Sequence, residues 1–286
     1  MLQKLAILVT CHNRKAKTLT CLQSLYNCVL PHGYSFEVYL VDDGSTDGTA
    51  AAVKELYPAI NIITGTGNLF WAGGMRFAWQ MAIKKKFANY LLLNDDVFLF
   101  PFAISDLVEV HQYCIENFKV AGIYVGATTD PNTNEFSYGG YKILNNLTGA
   151  STKVMPKRGL IQHCDFANAN ILWVSQNVVD GIGILSDKFT HSLADFDYTH
   201  KAGKNNFPLL VSPNFDGVCE NDHGNNWLSK KSTLQERIKY LKSPRHLAYN
   251  EYLYYIRKHY PYYLPISFIK LWARTLFPSI WDKYKK

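Results

Sequence analysis

The sequence predicts an α/β protein in which helices cover both faces of a central, mostly parallel β-sheet. Three observations support this fold class. Compact apolar runs alternate with segments of helical periodicity through residues 1–100. These runs show little polar alternation, which is typical of parallel strands that are buried on both faces. The chain is also long enough, at 286 residues with 48% hydrophobic content, to bury a large core.

The first hundred residues predict four strands separated by three helices. In the first helix, Leu19, Leu22 and Leu25 recur at helical spacing, and the second helix stops before Pro58. The predicted strands are 4–10, 36–41, 60–64 and 89–94, and the predicted helices are 14–28, 49–57 and 73–86. Ligands of such sheets bind beyond the carboxyl ends of the strands, so the residues after each strand are the first candidates for a site.

After Pro101 the pattern becomes less regular. The predicted elements are a helix at 104–117, strands at 120–129, 166–175 and 207–213, a helix or turn at 176–183, and a helix that begins at 194 and ends near 203. The segment 130–149 is rich in turn residues and predicts either a hairpin or a mobile loop. No internal repeat or low-complexity linker interrupts the chain.

Positive charge is concentrated at the C-terminal end of the chain. Residues 228–286 hold 13 Lys and Arg against 3 Asp and Glu, a net charge of +10, while the whole chain carries +7. The same segment is rich in Tyr and Trp, a combination that suits an anionic membrane surface. The alternative is a helical appendage whose aromatic side chains pack on the main domain. We therefore divide the chain near Trp227 into a domain of residues 1–227 and a basic, aromatic helical appendage of residues 228–286.

Several other classes of protein are disfavoured. The six cysteines are scattered without a C-x-x-C pair, which argues against a disulfide framework or a zinc site and favours a reducing cytoplasm. No apolar run approaches the roughly 18 residues of a spanning helix, and the N-terminus lacks the features of a secretory signal. No nucleic-acid-binding module accompanies the basic segment, so we expect no nucleic-acid partner. We expect a cytoplasmic protein that can contact the inner face of the plasma membrane.

Two pairs of adjacent acids follow predicted strands. Asp42 and Asp43 open the turn DDGSTDGT after the second strand, and Asp95 and Asp96 follow the fourth strand through Asn94. Both pairs fall at the ligand-binding edge of the sheet. An acid after the second strand can accept hydrogen bonds from a base or ribose, and acids after the fourth can hold Mg²⁺ or Mn²⁺ together with phosphate oxygens. The pattern predicts a site for a nucleoside diphosphate that carries an activated group.

Four segments in this order resemble the family 2 glycosyltransferases of GT-A fold, particularly their rhamnosyltransferase-like bacterial branch. The segments are TCHNR, VDDGSTDGT, GTGNLFWAGGMRFAWQMA and LLLNDDV, and the resemblance extends over residues 4–225. It implies the GT-A fold, with a nucleotide-sugar-binding half in residues 1–100 and an acceptor-side half in residues 101–227.

The resemblance also implies a donor site. The loop after the first strand would line the nucleotide pocket, and either Asp42 or Asp43 would contact the base or ribose. Arg14 and Arg76 would add positive charge around the diphosphate, and Asp95 would lie near the sugar. The residues assigned to donor binding are Thr10, Cys11, Asn13, Arg14, Asp42, Asp43, Gly73, Gly74, Arg76, Asn94 and Asp95.

Metal and base positions follow from the same resemblance. The family's metal-binding D-x-D corresponds to residues 94–96, where its first acid is replaced by asparagine, so Asp96 is the expected ligand of Mn²⁺ or Mg²⁺. A histidine that often follows a later strand corresponds to His223, a second candidate metal ligand. The catalytic-base cluster corresponds to residues 194–197, whose first acid is also missing, and Asp195 takes the position of the base.

The implied activity is a metal-dependent, inverting transfer of a sugar from a nucleoside diphosphate sugar, with a dTDP- or UDP-sugar favoured. The acceptor would be a glycan or a lipid-linked oligosaccharide in bacterial surface polysaccharide synthesis. Two alternatives stay open. One is a nucleotidyltransferase of related fold, although the loop TCHNRKAK contains no glycine. The other is a catalytically degenerate protein that binds a nucleotide sugar and docks on membranes, which the replaced acids at Asn94 and Ala194 would suit.

Overall fold

The computed structural model describes residues 3–221 and 227–282, which form a ten-stranded mixed sheet and a separate three-stranded sheet. The strands are β1 (Gln3–Cys11), β2 (Tyr34–Asp42), β3 (Asn61–Thr64), β4 (Asn89–Leu93), β5 (Phe98–Leu99), β6 (Ile123–Thr129), β7 (Phe136–Tyr138), β8 (Gly140–Asn145), β9 (Ala150–Lys153), β10 (Gln162–His163), β11 (Phe166–Ala167), β12 (Ile171–Ser175) and β13 (Leu209–Val218). The main sheet has the order β10-β13-β6-β12-β4-β1-β2-β3, with β5 beside β13 and β7 beside β6. The small sheet has the order β11-β8-β9.

Helices cover this sheet and continue beyond it. They are α1 (Lys15–Tyr26), α2 (Thr49–Leu56), α3 (Phe70–Ile83), α4 (Ala103–Phe118), α5 (Gln176–Ile182), α6 (Ala194–Lys204), α7 (Leu234–Lys242), α8 (Tyr249–His259), α9 (Leu264–Leu276) and α10 (Pro278–Asp282). A short 3-10 turn, Pro261–Tyr263, joins α8 to α9. The predicted α/β class is confirmed. In the part of the chain that the structure describes, no helix is long and apolar enough to cross a membrane.

The N-terminal part of the sheet is parallel. Strand β1 pairs with β2 on one side and with β4 on the other, and β3 pairs with the outer side of β2. Successive side chains of β1 point to opposite faces, so Leu5, Ile7 and Val9 join the core with α1 and α4, while Ala6 and Leu8 join the core with α3. Burial on both faces explains why these strands are continuous apolar runs in the sequence.

The second part of the sheet is mixed. Strand β12 lies antiparallel between β4 and β6, and β13 runs parallel to β6. The single strand predicted over residues 166–175 is wrong, because this segment contributes β11 to the small sheet and β12 to the main sheet. Between β11 and β12 the backbone forms hydrogen bonds outside the strand pairing. The Asn168 N–H donates to the carbonyl of Gly139, and the Asn170 carbonyl accepts from the N–H of Asn94. Residues 130–149 form β7, β8 and the turn of the β8–β9 hairpin, in agreement with the hairpin alternative.

The helices that follow Trp227 pack on the main domain through α8. Tyr255, Ile256 and Tyr260 are buried in the same core as side chains of α3 and α6. At least part of the aromatic appendage therefore serves as core, as the packing alternative predicts, and the division near Trp227 stays a prediction. The six cysteines are all buried and all carry free thiols.

Candidate active site

The carboxyl ends of β1 and β4 flank the point where the strand order reverses. From β1 the chain adds β2 and β3 on one side and then returns to add β4 on the other. Ligands of open α/β sheets bind at such a reversal, because the loops after the two strands diverge and leave a crevice. The loop after β1 brings Arg14 to this crevice, and the loop after β4 brings Asn94, Asp95 and Asp96.

A cavity of about 240 Å³ opens at this crevice. Its charged lining residues come from three places in the chain: Arg14 after β1, Asp95 and Asp96 after β4, and Asp195 at the start of α6. The other lining residues are Trp71, Asn94, Tyr138, Asn168, Asn170, His191, Ser192, Leu193, Phe196 and Cys219. The fold thus brings the second acid pair and the predicted base into one cavity.

Arg14 bridges the second acid pair. Its Nη1 lies 3.0 Å from Asp95 Oδ1, and its Nη2 lies 2.9 Å from Asp96 Oδ2. Asp95 is buried and also accepts a hydrogen bond from the hydroxyl of Thr18 at 3.3 Å. Burial raises the pKa of Asp95 to about 6; Arg14 opposes this shift, and the charge of Asp96 adds to it. Two neighbouring carboxylates with little access to water need a cation between them, and Arg14 supplies that charge.

Asn94, which replaces the first acid of the D-x-D motif, has a specific partner. Its side-chain oxygen Oδ1 accepts a hydrogen bond from the indole N–H of Trp71 at 2.7 Å. An aspartate could accept the same bond, but it would place a third negative charge beside Asp95 and Asp96. The asparagine keeps the contact between the end of β4 and the first turn of α3 with one charge fewer.

Asp195 lies in the first turn of α6 and faces the cavity. Its Oδ1 accepts from the backbone N–H of Phe196 at 2.8 Å, and its Oδ2 accepts from the N–H of Ala169 at 3.2 Å. Burial raises the pKa of Asp195 above its usual range, while these N–H groups and a hydrogen bond with the Asn168 side chain oppose the shift. A carboxylate with a raised pKa that borders a cavity is suited to accept a proton.

Asp197, two residues further along α6, has a different role. Its side chain is 2% exposed and accepts from Lys258 Nζ at 2.6 Å and from His259 Nε2 at 2.8 Å, both on α8. The ring of His259 in turn stacks on His200, with centroids 4.2 Å apart. Although burial opposes it, the hydrogen bonds from His259 and Lys258 hold the pKa of Asp197 below its usual range. Asp197 therefore joins α6 to the C-terminal helices.

The first acid pair is bound by backbone groups. Asp43 is buried; its Oδ1 accepts from the N–H of Gly67 at 2.7 Å, and its Oδ2 accepts from the N–H groups of Leu69 and Phe70 at 2.8 and 3.1 Å. Asp42 Oδ1 accepts from the N–H of Ser45 at 2.8 Å, within the turn. Neither acid is among the described residues that line the cavity. This pair shapes the two loops that border the crevice, and its predicted contact with a nucleotide stays a prediction.

Four other predicted donor residues lie in β1 and α3, and two of them, Thr10 and Gly74, form the contact between these two elements, whereas Cys11 faces the core on the side of α1. Thr10 and Cys11 are buried at the end of β1, and Gly74 of α3 packs directly on Thr10. A Cβ atom on Gly74 would lie 2.0 Å from the Thr10 hydroxyl oxygen, so only glycine allows this close approach of helix and strand. Gly73 is also buried, next to Leu69. Thr10 and Gly74 thus set the position of α3 under the crevice.

Asn13 and Arg76 are engaged with other loops. Asn13 adopts a positive φ of 51°, and its side-chain oxygen accepts from the N–H of Thr46 at 2.7 Å, which ties the β1 loop to the β2 loop. Arg76 donates through its Nη1 to the carbonyls of Ser186 and Phe189 at 2.8 and 2.7 Å, and its contact with a diphosphate stays a prediction. Its guanidinium therefore holds the segment before α6, and it is not among the described residues that line the cavity.

The carboxylates after β4 are the part of the site that suits a divalent cation. Mn²⁺ and Mg²⁺ prefer carboxylate and phosphate oxygens, and one oxygen each of Asp95 and Asp96 already converges on a cationic group, the guanidinium of Arg14. Within residues 3–221 and 227–282, no group of three or more His, Cys, Asp or Glu side chains is arranged to hold a metal ion. Substrate phosphates would have to complete such a site. His223, the second predicted ligand, lies outside the described residues.

Asn168 and Asn170 are among the cavity residues that were not predicted from the sequence. Both are 6% exposed and lie in the break between β11 and β12. Asn168 Oδ1 is buried and has no hydrogen-bond partner among the described residues, and Asn170 Nδ2 contacts the sulfur of Cys219 at 3.3 Å. A signal was present, because the segment FANANILW places two amides inside an otherwise apolar run. Polar residues that interrupt a buried strand usually have a specific partner.

The fold and the cavity place the chain among proteins of GT-A glycosyltransferase fold. The mannosyltransferase PcManGT from Pyrobaculum calidifontis, solved with GDP-Man and Mn²⁺, is 16% identical with a TM-score of 0.57, and the match covers 98% of this chain and 72% of that one. S. aureus TarS 1-349 in complex with UDP-GlcNAc is 16% identical with a TM-score of 0.55, covering 91% and 73%. Another structure of TarS 1-349 is 17% identical with a TM-score of 0.53, and there the match covers 76% of this chain and 60% of that chain.

The family is shown by the sequence itself. A family model described as glycosyl transferase family 2 matches residues 6–166. The chain therefore belongs to glycosyl transferase family 2, as the motifs predict. The matched region contains both acid pairs, whereas Asp195 lies beyond it. No curated protein matches the chain in a sequence search, and membership of the rhamnosyltransferase-like branch stays a prediction.

Proposed function

We propose that the protein is a metal-dependent, inverting glycosyltransferase that moves a sugar from a nucleoside diphosphate sugar to a glycan or lipid-linked oligosaccharide in bacterial surface polysaccharide synthesis. The observation that carries this proposal is that Asp95, Asp96 and Asp195 line one cavity. Sugar transfer needs two functions around one anomeric carbon: stabilisation of the departing diphosphate and removal of the acceptor's proton. Two proteins of the same fold were solved with GDP-Man and with UDP-GlcNAc, which supports a nucleotide-sugar donor.

The loops after β1 and β2 form the nucleotide side in this proposal. Both carboxylate oxygens of Asp43 accept backbone N–H groups, whereas Asp42 binds the N–H of Ser45 through Oδ1. Asp42 is therefore the better candidate for a hydrogen bond with the base or ribose, through Oδ2. Asp43 acts indirectly, because it fixes the loop that precedes Trp71 at the cavity. A dTDP- or UDP-sugar remains the favoured donor.

The second acid pair forms the diphosphate side. Asp96, with Asp95 beside it, would hold Mn²⁺ or Mg²⁺ together with diphosphate oxygens. When bound there, the cation would supply Lewis-acid stabilisation of the charge on the leaving diphosphate. The chain fixes the carboxylates in advance through Arg14 and Thr18. Arg14 is half-exposed, so it can release one carboxylate and turn its planar guanidinium towards phosphate oxygens.

Asp195 is the catalytic base in this proposal. It removes the proton of the acceptor hydroxyl as that oxygen attacks the anomeric carbon, on the side opposite to the departing diphosphate, and the configuration therefore inverts. A positioned base of this kind typically contributes about 10²–10⁴-fold to the rate. The backbone N–H groups of Phe196 and Ala169 and the side chain of Asn168 orient its carboxylate. We propose Asn168 as a positioning residue for this base.

One observation favours a second candidate function, a protein that binds a nucleotide sugar without transferring it. Arg14 already forms an ion pair with both Asp95 and Asp96, so it could take the place of a metal ion permanently. The replacement of the first acid of the D-x-D motif by Asn94 also supports this candidate. The two candidates differ in one measurable respect, because a binding protein would be stabilised by its ligand but would release no nucleoside diphosphate.

A screen of nucleotide sugars tests this choice. The full chain is incubated with dTDP-, UDP- and GDP-sugars with and without Mn²⁺, and both the melting temperature and the release of nucleoside diphosphate are measured. We expect one donor to raise the melting temperature through mass action and to be hydrolysed slowly in the presence of Mn²⁺. Stabilisation of the wild type without turnover would favour the binding protein, and a complete lack of stabilisation would reject both candidates.

The variant Asp195→Asn tests the base. It should keep the donor-induced rise in melting temperature and lose turnover by about 10²–10⁴-fold. The matched control is Asp187→Asn, because the Asp187 side chain is 80% exposed and lies outside the cavity lining. Full turnover in Asp195→Asn would remove the assigned role of this residue.

A further inference from the structure

Helix α9 has an unusual distribution of exposed and buried side chains. Its buried stripe contains two hydroxyl residues, Ser267 and Thr275, whereas Ile266 and Ile269 are 47% and 63% exposed. Leu276 at the end of the helix is 44% exposed. Ile266, Ile269 and Leu276 recur at helical spacing, so they form one apolar stripe that faces outward. Phe277 and Ile280, 59% and 50% exposed, continue the apolar surface into α10. We call these five residues the α9 surface.

An apolar groove adjoins the α9 surface. It lies between α8 and α9, has a volume of about 630 Å³, and includes Leu253, Tyr254, Leu264, Phe268 and Ile269 in its lining. Ile269 therefore belongs both to the groove and to the exposed stripe. A continuous apolar surface of this kind, rimmed by polar residues, marks a site of interaction rather than ordinary scattered exposure.

The charges along α9 and the adjoining part of α8 are all positive; the nearest acid along the chain, Asp282 at the end of α10, accepts hydrogen bonds from Trp227 and from the N–H of Lys230. Residues 252–281 contain no Asp or Glu, whereas Arg257, Lys270 and Arg274 lie among them. On the helical projection Lys270 and Arg274 fall between the exposed apolar stripe and the buried stripe. Lys270 is exposed, whereas the Nε of Arg274 is buried on the side of α7. Long cationic side chains at this border suit the headgroup level of an anionic bilayer, with the apolar stripe below it.

We propose that the α9 surface is a membrane-docking surface on which the protein lies in the plane of an anionic lipid bilayer. Ile266, Ile269 and Phe277 enter the boundary between headgroups and acyl chains, and Lys270 contacts the anionic headgroups. A second copy of this chain suits the surface less well. A two-fold contact would place the cationic borders of both copies together, with no acid between residues 252 and 281 to neutralise them. This proposal does not depend on the transferase activity.

Vesicle co-sedimentation of the full chain tests the apolar part of the surface. The probes are phosphatidylcholine vesicles with and without about one-third phosphatidylglycerol, the range in which surface charge attracts basic segments. We expect binding to the anionic vesicles that falls at least tenfold in Ile269→Asp. The matched control is Leu56→Asp on α2, because Leu56 is 60% exposed and lies outside the proposed surface; this variant should bind as the wild type does.

Charge reversal tests the electrostatic part. Lys270→Glu should weaken binding to the anionic vesicles by about tenfold and should leave the weak binding to neutral vesicles unchanged. Lys54→Glu, at an exposed position of α2, is the control and should have no such effect. Equal loss in both lysine variants would mean that net charge alone drives binding, and it would reject the assigned surface.

Two further outcomes would overturn the proposal. One is binding of Ile269→Asp equal to that of the wild type, with an unchanged melting temperature to show that the variant is folded. The other is a concentration-dependent dimer in light scattering that Ile269→Asp converts to a monomer while vesicle binding stays the same. That result would assign the α9 surface to a second copy of the chain.

Discussion

The two acid pairs occupy equivalent places at the ends of parallel strands, but different groups bind them. The carboxylates of Asp42 and Asp43 accept hydrogen bonds from backbone N–H groups of the bordering loops. The carboxylates of Asp95 and Asp96 are bound by the side chain of Arg14, which reaches across from another loop. A backbone donor cannot leave unless its loop changes shape, whereas a side chain can rotate away. We conclude that the first pair builds the crevice and that the second pair can exchange partners within it.

The largest expected effect is a loss of turnover, and it tests the second acid pair, Asp95 and Asp96. Asp96→Ala should lower the rate of nucleoside diphosphate release at saturating Mn²⁺ by about 10³-fold, because metal-assisted stabilisation of a leaving group is worth several kcal/mol. Its melting temperature should stay close to that of the wild type, since Arg14 keeps its ion pair with Asp95. Asp187→Ala is the exposed control and should keep full activity. Normal turnover in Asp96→Ala would end the functional distinction between the pairs.

The next largest expected effect is a loss of stability, and it tests the first acid pair, Asp42 and Asp43. Asp43→Ala should lower the free energy of unfolding by about 3 kcal/mol, because three backbone N–H groups lose a buried acceptor. Urea denaturation measures this difference. Glu55→Ala, at an exposed position of α2, should change stability by less than about 0.5 kcal/mol. If Asp43→Ala were as stable as this control, the structural role assigned to Asp43 would be wrong.

A pH profile extends the comparison to Asp195, the third acid of the site. A base must be ionised, so kcat/KM should fall about tenfold per pH unit as the pH drops below the pKa of Asp195, which burial places above the usual range. The Asn168 side chain opposes that shift, so Asn168→Ala should raise the pKa and move the fall in rate to higher pH. A residue with a merely structural role would lower the rate equally at every pH, and a profile of that form would reject Asn168 as a positioning residue.

The smallest effect tests the asparagine before the second pair. Trp71→Phe removes the hydrogen bond to Asn94 and should lower the free energy of unfolding by about 1 kcal/mol. It should also weaken Mn²⁺ binding in a thermal-shift titration, since the end of β4 loses its support. Trp272→Phe is the control, because its indole N–H donates to the Tyr249 hydroxyl on the C-terminal helices. We expect a similar loss of stability there with Mn²⁺ binding unchanged; equal Mn²⁺ binding in both variants would separate Asn94 from the metal site.

The N-terminal half of the fold could be predicted because local residue patterns identify its strands and helices. Strands buried on both faces must be apolar, and β1, β2 and β4 are such runs over their buried lengths. Parallel strands also share one carboxyl edge, so acids that follow them can be placed at a site without knowledge of the strand order. For this reason the sequence was sufficient to place Asp95 and Asp96 at the crevice, whereas the position of Asp195 beside them was implied only by the family resemblance; the partners that hold these acids could not be predicted.

What the sequence did not reveal depends on distant partners. An apolar run does not specify strand direction, so the antiparallel insertion of β12 between β4 and β6 was not predicted. Arg76 and Asp197 have the residue types expected of a phosphate ligand and a catalytic acid. The partners that they have in the structure, the segment before α6 for Arg76 and Lys258 of α8 for Asp197, depend on which elements the fold places beside them. Local patterns cannot distinguish a charge used for binding from one used for packing.

The six buried thiols have a practical consequence for labelling. Burial raises the pKa values of five of them, among them Cys21, Cys28 and Cys114, so little reactive thiolate is present at neutral pH. A single cysteine introduced on the outside, for example Ile266→Cys, would then be the fast-reacting site for a maleimide dye. The native chain can thus serve directly as the background for fluorescence measurements, with none of its own cysteines replaced.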